Sequence, residues 1–71
     1  MTPQQAIAEA VEFKGGPSAL AALIGVKPPT VHQWLNGDRP IPAARAVQIE
    51  KAVEGRISRN LLCPKFPWDS H

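Results

Sequence analysis

Apolar residues recur along this chain at three- and four-residue intervals, and glycine or proline interrupts each run. That spacing is the signature of short amphipathic helices. Ile7, Ala10 and Val11 share one face of a first helix that starts near Pro3, with Thr2 as N-cap, and stops after Phe13 or Lys14 at Gly15-Gly16. Pro17 repeats the entry device, and Ser18 to Ile24 forms a second helix with Leu20, Ala21, Leu23 and Ile24 as its apolar members. Gly25 is the expected pivot, because glycine takes positive φ without a Cβ clash, and Val26 plugs the inside of the turn.

The third helix runs from about Pro28 to Asn36, with Val31, Trp34 and Leu35 inward and Asn36-Gly37 as its stop. Its two opening prolines are helix breakers placed where they do no damage. The first N–H groups of a helix have no internal acceptor, so a ring at the first and second positions removes no intrahelical bond. Proline also confines the preceding Lys27 to extended backbone angles, which helps end the turn. Asp38-Arg39-Pro40 is a polar connection, and Pro42 starts a fourth helix that carries Ala46, Ile49 and Val53 on one stripe and ends at Gly55. Ser58 can cap a last turn, Arg59 to Cys63, before Pro64 prevents continuation. Strand signals are nearly absent. The reading is an all-α bundle of four to five short helices over residues 1–63, followed by a short extended C-terminal tail, 64–71.

With 71 residues there is room for one core, since a chain of this length buries only about 60% of its unfolded surface. The 44% hydrophobic and 20% charged residues are ordinary globular values. No run approaches the roughly 18 apolar residues of a membrane span, and no secretory signal precedes the first helix, so the expected location is cytoplasmic. Cys63 is alone, which excludes an internal disulfide and a cysteine-based metal site. Net charge is only +2, yet its placement is uneven: residues 14 to 48 hold Lys14, Lys27, Arg39 and Arg45 against Asp38 alone. A local cationic excess of that kind suits a polyanionic partner.

A twenty-residue window from Pro17 to Asn36 carries the helix-turn-helix pattern. Ala21 is small at the fifth position, where two helix axes approach, and glycine stands ninth at Gly25. Leu20, Ile24, Val26, Val31 and Trp34 fill the fourth, eighth, tenth, fifteenth and eighteenth places and set the angle at which the second helix of the pair projects. Over nearly its whole length the chain resembles the Cro-like repressors of lambdoid phages and the related prophage proteins known as YdaS-like antitoxins. GGPSALAALIGVKPPTVHQWLNGDRPIP, ARAVQIEKAVEG and ISRNLLCP carry the resemblance. It implies a lambda-repressor-like fold and a sequence-specific DNA-binding regulator of a phage or prophage switch, usually a homodimer on a double-stranded DNA operator. Some members have a β-hairpin in place of the last helices; ARAVQIEKAVEG reads as helical, which favours the all-helical branch.

If the third helix is the recognition helix, Pro28 and Pro29 form an apolar tip suited to thymine methyl groups, and polar base readout moves one turn along. Gln33 can pair bidentately with adenine, and Thr30 and His32 can reach a base or a phosphate. Ser18, Lys27, Asn36, Arg39 and Arg45 suit phosphate contacts, Ser18 through the N-terminus of the second helix. Against these stand plainer readings: two helices joined by glycine without a DNA role, Trp34 as a core residue rather than a stacking platform, and His32 as a solvated side chain. His32, Cys63 and His71 lack metal-ligand spacing, no cofactor is implied, and Asp38 with His32 is the only close acid-base pair, so no enzyme is expected. In the tail, Phe66 and Trp68 fold back over their own core, pack across a two-fold axis or form a disordered end, and Leu61 and Leu62 help either packed arrangement. The other functional class is an antitoxin that neutralises a toxin protein by direct contact and uses DNA binding to regulate its own operon.

Overall fold

The computed structural model describes residues 1–68 and contains five helices: α1, Pro3–Lys14; α2, Pro17–Ile24; α3, Pro28–Asn36; α4, Ala43–Ala52; and α5, Arg59–Leu62. No strand occurs among the described residues. Local chemistry starts and stops them much as the sequence predicts. The Thr2 hydroxyl accepts the Gln5 N–H at 3.1 Å while Gln5 Oε1 accepts the Thr2 N–H at 2.8 Å. This reciprocal capping box opens α1. At the other end of α2, Gly25 turns left-handed, at φ 75°, and the Val26 N–H returns to the Ala21 carbonyl at 3.0 Å. That bond folds the chain back within two residues and lets α3 begin at Pro28.

α2 packs on α3, α1 lies against both, α4 covers α2, and α5 closes the bundle between α1 and α4. Ile7, Leu20, Val31, Ile49, Val53 and Leu62 are fully buried at the centre. Each such side chain contributes about 1.5–3 kcal/mol from apolar burial before the entropy of ordering is set against it. All five helices supply core residues.

Several expectations need correction. Leu23 is 58% exposed rather than a core member. The buried stripe of α2 is Leu20, Ala21 and Ile24, and at 3.6 residues per turn Leu23 lies about 100° from its centre. Leu35 is half-buried at the edge of the core. α4 begins after Pro42, which caps it, and ends at Ala52 instead of Gly55; Glu54, at φ 56°, already belongs to the following turn. α5 stops at Leu62, with Cys63 as its cap. Ser58 occupies the N-cap position of α5 without a side-chain bond. A carboxylate oxygen of Glu50 accepts the Arg59 N–H there instead, at 3.0 Å.

Candidate nucleic-acid interface

Val31 and Trp34 anchor α3 to the bundle; Trp34, 3% exposed, is a core residue. With that side fixed, helical periodicity sets what the opposite side offers. Pro29, His32, Gln33 and Asn36, spaced i, i+3, i+4 and i+7, fall on one outward stripe. Pro29, His32 and Asn36 are exposed and Gln33 half-buried. Pro28, also exposed, opens the helix beside them, and Thr30 sits half-buried on the flank. Lys27 is extended at the N-cap, φ −84° and ψ 148°, as a residue before proline should be. No side chain caps this helix start, and the Thr30 N–H closes its first turn on the Lys27 carbonyl at 3.0 Å.

Beside α3 the chain forms a shallow depression whose walls include Lys27, Thr30, Trp34, Arg39, Pro40 and Arg45. Three cations separated by up to 18 positions in sequence thus surround one side of the helix start. Lys27 and Arg39 are exposed. Arg45 is half-buried and already engaged: its Nη1 donates to the Ile24 carbonyl at 3.0 Å and to Gln48 Oε1 at 2.8 Å. Gln48 did not figure among the sequence candidates, although its i, i+3 spacing from Arg45 on a predicted helix was a usable signal. Ser18 is exposed in the first turn of α2, whose N-terminal amides lack a side-chain cap, and it does not line the depression.

The four residues considered for a two-fold contact separate. Leu62 is 1% exposed and belongs to the chain's own core, and Leu61 is half-buried against that core. Trp68 folds back, its Nε1–H donating to the Cys63 carbonyl at 2.8 Å, with the Arg59 guanidinium 5.5 Å from its ring centre. Phe66, 46% exposed, lies tilted against Trp68, with ring centres 4.5 Å apart and planes at 51°. Ser70 and His71 lie outside the described residues. Among the described residues no group of three His, Cys, Asp or Glu stands close enough to hold a metal ion. No helix there is long and apolar enough to cross a membrane.

The profile of a family described as bacterial toxin YdaS matches residues 7–71. The chain is 43% identical over 60 residues to the "Putative transcriptional regulator YdaS" of Escherichia coli (strain K12), a match covering 84% of this chain and 61% of that protein. It is 31% identical over 61 residues to the "Regulatory protein cro" of Pseudomonas phage D3, covering 86% of this chain and 84% of that one. The chain therefore spans about three fifths of the length of the first relative and most of the second. No solved structure matches.

Proposed function

The chain belongs to the YdaS family, with a Cro regulatory protein among its relatives, and from that premise we propose that it is a Cro-like repressor that binds a pseudo-palindromic operator as a homodimer. The observation that carries this reading is the division of α3 into an anchored face, Val31 and Trp34, and an outward stripe of Pro29, His32, Gln33 and Asn36 beside a cationic depression. A helix so divided can lie in a major groove. Gln33 pairs with adenine, Pro28 and Pro29 meet thymine methyl groups, and Thr30 and His32 reach the neighbouring base or phosphate. Lys27, Arg39 and Asn36 hold the backbone on either side, and Ser18 does so at the N-terminus of α2. Two subunits set their α3 helices about 34 Å apart, one turn of DNA. Phe66, with the half-buried Leu61 and Trp68, supplies the apolar face between them. Bound protein then blocks polymerase sterically.

Nuclease footprinting on the DNA upstream of the chain's own gene tests this. The expected result is a two-fold symmetric protected site with half-sites one helical turn apart. Uniform protection at all sequences overturns it.

The family's description as a toxin favours one second reading, in which the chain serves a toxin–antitoxin pair. As the antitoxin it would neutralise a partner protein by direct contact and bind DNA only to regulate its own operon. Co-expression with the neighbouring gene product separates the two. Rescue of growth by a Gln33→Ala, Arg39→Ala double mutant supports direct neutralisation, and loss of rescue supports repression.

A further inference from the structure

Ile24 is the last residue of α2, and its carbonyl is one of the four that a helix cannot satisfy internally. Arg45, 21 residues later on α4, reaches across and donates to that oxygen at 3.0 Å. The carbonyl end of a helix carries partial negative charge, so a guanidinium matches it in sign as well as in hydrogen bonding. Both Nη1 hydrogens are engaged, one by Ile24 and one by Gln48 Oε1 at 2.8 Å, so the group is oriented from two sides. The residue after Ile24 is the left-handed Gly25, and α3 begins three residues beyond it. The end of α2 is therefore tied to α4 immediately before the chain turns into α3. α2 packs on α3, and Ala21 and Trp34 share the apolar core, but apolar packing is non-directional. The Arg45 bond adds a directional constraint at the pivot.

We infer that Arg45 is a positioning residue for DNA binding: through the Ile24 carbonyl it fixes the angle at which α3 leaves the turn, with Gln48 holding the guanidinium in place. It acts through the turn rather than by holding a phosphate itself. The inference rests on the reading of α3 as the recognition helix. Lysine would keep the charge but ends short of the position Nη1 occupies, so it is not an equivalent replacement.

The test compares Arg45→Met, Arg45→Lys and the wild type on two probes: a duplex that the wild type selects from a random-sequence pool, and an unselected duplex of equal length. Affinity is measured across a salt series, well below the melting temperature, and amide hydrogen exchange at Val26 reports the turn without DNA. Positioning predicts about a ten-fold loss on the selected duplex for both variants. It also predicts little change on the unselected one, an unaltered salt slope, and faster exchange at Val26. A salt slope flattened by about 0.9 in Arg45→Met and restored in Arg45→Lys would mean a phosphate contact and overturns the proposal. Unchanged Val26 exchange overturns it as well. If Arg45→Met does not fold, Gln48→Ala takes its place, leaving the charge but releasing its holder, with a smaller loss of the same kind expected. If the wild type selects no sequence, the DNA-binding reading falls, and Val26 exchange still decides whether Arg45 holds the turn.

Discussion

Glu50 grips Arg59 through both carboxylate oxygens: one accepts the Arg59 backbone N–H at 3.0 Å, and the other accepts the guanidinium Nε–H at 2.9 Å with Nη2 at 2.8 Å. The pair fastens the single turn of α5 to α4, doing for α5 what the Ser58 side chain does not. The backbone N–H of Arg59, and after it the guanidinium, hold the Glu50 carboxyl below its ordinary pKa. A carboxyl whose folded pKa is depressed adds stability that is complete above its unfolded value, about 4.3, and is lost as pH falls through the folded one. Glu50→Gln should therefore destabilise the fold by about 1–2 kcal/mol at neutral pH. The gap to wild type should narrow on acidification from about pH 5 to 3. Denaturant midpoints across that range check this, and a gap independent of pH refutes it.

Gln33 and Arg39 separate readout from attraction. Gln33→Ala should reduce the preference for operator over random DNA by about 1–3 kcal/mol. Arg39→Ala should weaken both and lower the salt slope by about 1. Fluorescence anisotropy on both duplexes over a salt series distinguishes them, and equal losses on the two for Gln33→Ala would sink the readout assignment.

Pro28 and Pro29 combine a conformational and a recognition role. Replacing both by alanine should lower stability by about 0.4–1 kcal/mol per residue, because the unfolded chain regains freedom. It should also reduce operator discrimination through the lost apolar tip. Thermal melts and competition binding read the two effects separately; intact discrimination would limit the prolines to starting α3.

Gly37 ends α3 at φ 79°, and a Cβ there would lie 2.6 Å from Gln4 Nε2. Gly37→Ala should cost about 1–2 kcal/mol, mostly from the left-handed backbone, since the Gln4 terminus can swing aside. Adding Gln4→Ala should then recover little in chemical denaturation. Full recovery would place the cost in the contact.

Phe66→Ser should weaken self-association measured by sedimentation, and should leave the melting temperature nearly unchanged only at concentrations too low for the wild type to dimerise. Leu62→Ser, by contrast, should unfold the chain, because Leu62 is a core residue. A Phe66→Ser protein as dimeric as wild type removes Phe66 from the two-fold face.

The sequence by itself determined where α1, α2 and α3 begin and end and which side of α3 turns outward. Thr2, Pro17, Pro28, Gly25 and Gly37 act through capping and restricted backbone angles, which operate within a few residues and need no knowledge of the fold. Val31 and Trp34 declare the inner face of α3 by spacing alone, and the outward candidates follow as the remainder. Only the tertiary structure decided which apolar residues lie at the edge of the core: Leu23 is exposed, while Ile41 and Ile57, in connections without helical periodicity, are buried. It alone joined Arg45 to Ile24 and Glu50 to Arg59. Those pairs depend on how α4 crosses its neighbours, and a crossing is set by the simultaneous packing of all five helices, which no local window contains.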